Sequence, residues 1–476
     1  MEQKTWHCPV CGQDFTGPEP PSPCPVCGAP AGVFTSVDAP APRQWRCLVC
    51  GQVFEGPQPP VPCPVCGAGE QAFVPEGAPE AAFRRDTDEH FVLIGGGAAS
   101  LECAKAIRSR NHTARITMVC GEPELPYNRP ALSDVLADGL SLQSILLHEA
   151  DWYREQHIET LVGVQATAIH RQERRVVLST GESLTYDKLL LATGSRAFVP
   201  VKTGEESMPL YVLRSYGDCS RVAAAAAAHK QAVLVGGGIL GIEAAVALCD
   251  RGVQVTVVEF APRILAAQAD EAASALVQRR LESRGIAVRC GVSVQQVSRQ
   301  EVLLSDGSTV DASFVLVAAG VRAETGLAAA CGLEVQRGIL VDETMRTADP
   351  AIYAAGDCAE YQGRPGGLWS TATAQGQAAG AHMAGDAEAA YTVLPPATVF
   401  EGAGAALFSC GAVSGTRLQS LTYEDVFSGI YKRVLLEDGH TVGVILYGDT
   451  AAAGDAIGLV ARKAPGAEAV PLLIKG

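Results

Sequence analysis

An α/β fold built on parallel sheets is what the sequence predicts, and three observations predict it. Short apolar runs (FVLIGGG, KLLLATG, AVLVGGG, VTVVE, FVLVAAG, IYAAGD) recur from Phe91 onward. Gly-rich turns and Ala-rich helical stretches follow them, and strands alternating with helices require crossover connections. Two of the runs enter glycine triplets, Gly95-Gly96-Gly97 and Gly236-Gly237-Gly238, of the kind that turn a strand into a helix against a phosphate group.

The chain has 476 residues, too many for one core and enough for several domains of roughly 100–200 residues each. With 47% hydrophobic and 19% charged residues, it can fold through most of its length. Its formal charge of −15 argues against nucleic acid as a partner. No apolar run approaches the ~18 residues of a membrane helix, and Met1–Trp6 has no hydrophobic signal core. A cytoplasmic protein that does not engage the membrane is therefore expected.

Eight of the 16 cysteines fall within the first 66 residues at strict spacing. The others (Cys103, Cys120, Cys219, Cys249, Cys290, Cys331, Cys358, Cys410) are scattered singly. That distribution means metal binding plus buried thiols rather than a disulfide framework. The clustered cysteines belong to an internal repeat: Trp6–Pro30 matches Trp45–Gly69 at 18 of 25 positions. Each copy contains two Cys-x-x-Cys pairs separated by 12 residues: Cys8, Cys11, Cys24 and Cys27, then Cys47, Cys50, Cys63 and Cys66. Two residues between thiolates let both sulfurs reach one metal, and the glycine after each pair permits a tight knuckle. Two facing knuckles make a tetrahedral sulfur cage that suits zinc as readily as iron. The modules are placed at 1–34 and 45–73. Thr35–Gln44 and Val74–His90, rich in Pro, Ala and charge, read as semi-rigid connections that form neither helix nor strand, with the linker proper at 74–89.

In the body, Phe91–Gly97 reads as a strand and turn, and Leu101–Ser109 as the helix that follows. Gly95 and Gly97 bring the backbone against a pyrophosphate, and Ser100 stands where a third glycine is usual, small enough to keep helix and strand close. Glu122, after the strand Arg115–Val119, is in the region that takes ribose hydroxyls. A second copy runs Gly236, Gly238, Gly241, with helix Ile242–Arg251 and a strand Gln254–Val258 that leads to Glu259. Glu259 suits the free ribose hydroxyl of NADH and repels the extra phosphate of NADPH. Thr193-Gly194 closes the first half and Gly320 the second. From Tyr391 the texture alternates apolar and polar residues about Glu437-Asp438-Gly439, predicting a small, mainly antiparallel domain.

Gly356-Asp357 within GILVDETMRTADPAIYAAGDCAE completes the set of motifs. From about 90 to 385 the sequence resembles the FAD/NAD-linked reductases with two dinucleotide-binding domains. LPYNRPALS, VVEFAPRIL and the C-terminal segment are similar to NADH:rubredoxin oxidoreductases and to the flavin part of assimilatory nitrite reductases. The resemblance implies two Rossmann-like domains, an FAD domain at 90–204 and 322–388 split by an NAD domain at 205–321, then an α+β domain at 389–476. It implies that Gly356 and Asp357 hold the ribityl chain and pyrophosphate of FAD, that Arg129 and Pro130 lie at the flavin, and that Glu243 lies near nicotinamide. Relatives often carry Lys where this chain has Asp134, so the charge beside the flavin is not carried over. Trp6 and Trp45, Phe15 and Phe54, and the Cys-Pro-Val-Cys-Gly knuckles resemble the rubredoxin-like domain of rubrerythrins.

Disulfide-reducing relatives keep a Cys-x4-Cys pair soon after the first fingerprint, and peroxide or coenzyme-A relatives one cysteine within the stretch matching Leu125–Leu132; this chain has neither arrangement, and Cys103 and Cys120 read as packing. The expectation is that NADH gives a hydride to FAD and that two iron ions in the modules, with zinc the alternative, take single electrons onward. A flavodiiron protein, a rubrerythrin, a rubredoxin, or a nitrite or nitric oxide reduction system would fit as downstream acceptor. The rival expectation is an NADH oxidase, or a reductase of a separate acceptor, with zinc ribbons for protein contacts. Oligomeric state is open, since the C-terminal domain suits a homodimer interface as well as a docking surface.

Overall fold

The computed structural model describes residues 83–204 and 206–474 throughout, and before them 4–7, 14–17, 21, 24–26, 35–36, 44–47, 49, 52–61, 63, 68 and 73–76. Two parallel five-stranded sheets form the body. In the first, the order is Ile352–Ala354, Lys188–Leu191, His90–Ile94, Arg115–Cys120, Ile158–Val162. In the second it is Leu210–Val212, Phe314–Val317, Gln231–Val235, Gln254–Glu259, Ala287–Cys290. Both place the strand that enters the glycine triplet at the centre, because its side chains are buried on both faces: His90–Ile94 is buried throughout and Ala232–Val235 likewise. The antiparallel pair Ser195–Ala197 and Val321–Ala323 carries the chain between the two units.

The helices after the triplets begin earlier than the sequence suggests. Helix α1 is Ala98–Arg110 and helix α2, after the second triplet, is Ile239–Asp250; their N-caps are Gly97 and Gly238 themselves. The last glycine of each triplet is extended, so the first helical turn starts at once and aims its free amides back toward the strand end. A later helix, α3 (Trp369–Met383), packs along α1, and its Gln375 side chain accepts from the Gly356 amide at 2.9 Å.

The C-terminal domain is a five-stranded antiparallel sheet, Ala397–Gly402, Ala405–Gly411, His440–Tyr447, Ile430–Glu437, Gln419–Asp425, with the expected turn at Asp438-Gly439, both in the left-handed region. Its alternation sorts two cores. Phe400, Leu407, Leu435, Ile445 and Tyr447 share a core with the second parallel unit, while Phe408, Cys410, Val434, Leu436, Val444 and Leu446 face the helices Ala453–Ala461 and Gly466–Ile474. Asp270 ties the first face down, accepting from Tyr431 Oη and Arg433 Nη1, each at 2.6 Å.

The connections differ from expectation. Thr35–Ser36 pairs with Lys4–His7, and Phe73–Glu76 pairs with Gln44–Cys47, Pro75 opposite Trp45. Among the described residues each module thus holds three antiparallel strands, the last of them in a segment read as structureless. Pro75 is tolerated because the strand is an edge, where a missing amide costs nothing. The end of the linker is fixed too: Thr87 N and Asn111 Oδ1, and Asn111 Nδ2 and Thr87 Oγ1, are bonded at 3.1 and 2.7 Å. No helix among the described residues is long and apolar enough to cross a membrane.

Candidate functional site

One cavity of about 1400 Å³ runs between the first parallel sheet, α2 and the C-terminal domain. It exceeds the roughly 300–1,000 Å³ of an ordinary small-molecule pocket and is of a size for a dinucleotide. Gly95, Gly97, Glu122, Arg129, Pro130, Thr193, Gly194, Gly356 and Asp357 line it, so nine of the ten residues read from sequence as FAD ligands meet in one place. Ser100 sits behind the wall, fully buried, its Oγ without a hydrogen-bond partner. Gly95 shows why no side chain is possible at the turn: φ is +128° and a Cβ there would lie 2.0 Å from the Ala192 carbonyl oxygen.

The polar end of the cavity is a charged network. Arg214 Nη2 and Ser195 Oγ donate to Asp357 Oδ2 at 2.9 and 2.7 Å, and Arg214 Nη2 also reaches Ser195 Oγ at 2.7 Å. Glu122 accepts from Arg129 Nη2 and from Tyr127 Oη, both at 2.6 Å. The acid read as a ribose ligand and the cation read as flavin-side charge are therefore partners in one ion pair. Arg214 and Ser195 were not legible as site residues. Ser195 adjoins the Thr193-Gly194 motif, but Arg214, in the loop between Val212 and Tyr216, carries no local signal.

Glycine turns, the Asp357 carboxylate and an unpartnered donor together fit FAD. The donor is Trp369 Nε1, buried without an acceptor while its residue lines the cavity at the start of α3. The Gly366-Gly367 pair just before it was the available signal.

The second turn lies apart from this lining. Gly236, Gly238 and Gly241 form it, Gly320 follows the sheet's Phe314–Val317 strand, and Phe198 N donates to Gly320 O at 2.9 Å. Glu259 accepts from the Gly237 and Ala261 amides at 2.5 and 2.6 Å, which pins its carboxylate beside the turn. We expect NADH to be used well over NADPH, and Glu259→Ala to erase most of that preference in steady-state comparison of the two coenzymes.

From this turn α2 reaches the cavity, where Ile239, Leu240 and Glu243 line it beside Ser133 and Asp134. Burial pushes the Glu243 carboxyl up to about 7, opposed by a Ser133 hydrogen bond and assisted by Asp134. Burial and Asp138 also raise Asp134. A carboxyl whose pKa is higher folded than unfolded supports the fold below its ordinary range, and that support is lost as pH rises through about 7. Glu243→Gln is therefore expected to be more stable than the parent by about 1–2 kcal/mol at pH 8, with the gap closing toward pH 5. Chemical denaturation at the two pH values checks it.

Among the described residues lining the cavity, the only cysteine is Cys63, from the second module. Cys103 and Cys120 are fully buried; burial raises both thiols, Cys120 to about 12. They are packing groups, as expected. Of the eight module cysteines, Cys24, Cys47 and Cys63 belong to the described residues and are buried, while Cys8, Cys11, Cys27, Cys50 and Cys66 lie outside them.

Comparison with known proteins finds family matches along the chain. Residues 6–35 and 45–74 match the rubrerythrin rubredoxin-like domain, and residues 396–464 the rubredoxin NAD+ reductase C-terminal domain. The assimilatory nitrate reductase electron transfer subunit of Bacillus subtilis is 33% identical over 76% of this chain and 48% of its own length. The NADH-rubredoxin oxidoreductase of Clostridium acetobutylicum is 30% identical over 69% of this chain and 83% of its own. The chain spans about half the length of the nitrate and nitrite reductase relatives it matches. Among solved structures, the covalent putidaredoxin reductase–putidaredoxin complex aligns with TM-score 0.73 and 26% identity over 80% of this chain and 94% of that one. The NADH:rubredoxin oxidoreductase from Clostridium acetobutylicum aligns with TM-score 0.67 and 25% identity over 80% and 96%. Residues 89–378, more than half the chain, match the pyridine nucleotide-disulphide oxidoreductase model, and the chain belongs to that family.

Proposed function

We propose that the protein is an NADH-dependent flavoprotein oxidoreductase that passes electrons to rubredoxin-type iron in its own N-terminal modules and from there to a downstream redox protein. One observation carries the reading: the first glycine turn lines the cavity, α2 runs from the second turn to the same wall through Ile239, Leu240 and Glu243, and none of the eight cysteines scattered through the body lines it among the described residues. With no thiol pair beside the flavin, electrons have to leave by another carrier. Bound FAD supplies hydride acceptance and one-electron release, and iron between four thiolates supplies one-electron exchange with little ligand movement.

The protein's own residues do the positioning. The Gly236–Gly241 turn and Glu259 hold the adenosine half of NADH, and Asp357, clamped by Arg214 and Ser195, holds the polar part of FAD. Glu243 stores a proton near neutrality on the wall shared by α2 and Asp134. The balance is NADH plus two ferric centres giving NAD+, one proton and two ferrous centres. Eight cysteines at four per site supply those two centres. Metal analysis of the full chain tests the reading: roughly two irons per flavin are expected, and zinc with no iron would sink it in favour of zinc ribbons beside an oxidase.

A further inference from the structure

We infer that the second module is the first electron acceptor, seated on the C-terminal domain at the flavin cavity with Cys63 facing the flavin side, and that the first module is the outward relay. The inference rests on the electron path proposed above and adds its order and its entry point. A linker as long as 74–89 would by itself suit a module that swings on a tether and docks weakly. The structure holds the second module differently.

Cys47, Val49, Cys63, Ala68 and Phe73 are buried in one continuous apolar core with Phe408, Cys410, Val434, Leu436, Val444 and Leu446. These are the residues on the helix-covered face of the C-terminal sheet, so the module completes that face beside the two C-terminal helices. Trp45 and Phe54, the aromatic residues of the module, pack against the same core. At this seat Cys47 N donates to Gln52 O and Cys63 N to Ala68 O, each at 2.8 Å.

The seat also reaches the cavity. Cys63 lines it together with Trp369, Thr398 and Val399, and Trp369 and Val399 pack against the shared core as well. A thiolate ligand is the part of a four-sulfur centre through which electrons enter, since the metal itself is enclosed. Cys63 is thus the contact between metal module and flavin cavity among the described residues. Of the first module's cysteines Cys24 alone belongs to the described residues, and it is buried and does not line the cavity. Electrons from one hydride then enter the second module one at a time. The first moves on to the ferric centre of the first module, the second remains, and one proton is released with NAD+.

Two iron-loaded full chains test the order, one with the first module disabled (Cys24→Ser with Cys27→Ser), the other with the second disabled (Cys47→Ser with Cys50→Ser). After anaerobic mixing with NADH, iron confined to the second module should bleach at the parental rate. Iron confined to the first should bleach at least about tenfold more slowly, as an unseated tethered acceptor. A second readout needs no turnover and holds even if one variant folds poorly. Relative to zinc-loaded parent, oxidised flavin emission should be quenched more by iron in the second module than by iron in the first. Equal quenching, or parental bleaching with iron in the first module alone, overturns the seat and the order. If no chain bleaches, including the parent, the electron path itself fails with it.

Discussion

Gly241→Val is expected to abolish reduction by NADH while the flavin stays bound and dithionite still reduces it. A Cβ at this position would lie 2.1 Å from the Gly236 carbonyl oxygen and 3.1 Å from Leu234 Cδ2. The first is backbone and cannot swing aside, so α2 has to move away from the strand. Its first-turn amides, the groups that would hold the pyrophosphate, move with it. Losing two such charge-assisted hydrogen bonds, at about 1.5–3 kcal/mol each, weakens NADH by more than about 100-fold. Titration of flavin bleaching against NADH measures this, and normal reduction at low NADH would show that the turn is not the coenzyme site.

Asp357→Ala should have the opposite signature, with flavin lost and the coenzyme turn intact. The substitution leaves the Arg214 guanidinium, 29% exposed, without its carboxylate, and Ser195 without its acceptor. Removing one partner of a partly buried pair costs about 2–4 kcal/mol, and the same carboxylate is assigned to FAD. The purified variant is expected to hold well under half the parental flavin. Adding Arg214→Ala should then cost little more stability, because the cation no longer needs a partner. Full, additive costs from the two substitutions would mean that Asp357 and Arg214 act independently.

Legibility in the sequence followed the range over which each feature is specified. Both glycine turns, Glu259 at the strand end and the Asp438-Gly439 hairpin were readable because their signals sit within a few residues of one another. The edge strands of the modules were not. Pro75 reads as a breaker until its partner Trp45 is known, and the pairing, not the local composition, makes the strand. Arg214 lies 143 residues from Asp357, and nothing near it in sequence marks it. Glu122 and Arg129, read as serving ribose and flavin separately, turn out to be bonded to each other. The contact on which the proposed electron path depends, the second module against the C-terminal sheet, joins opposite ends of the chain. Periodicity could show that Phe408, Val434 and Leu446 need cover, but not that a metal knuckle supplies it.

Anaerobic stopped-flow mixing of the iron-loaded protein with NADH decides whether flavin electrons reach iron within the same chain. Intramolecular transfer predicts flavin bleaching followed by loss of the ferric-thiolate absorption, the second phase at a rate that does not change with protein concentration. Flavin that is reduced while the iron stays oxidised would contradict it.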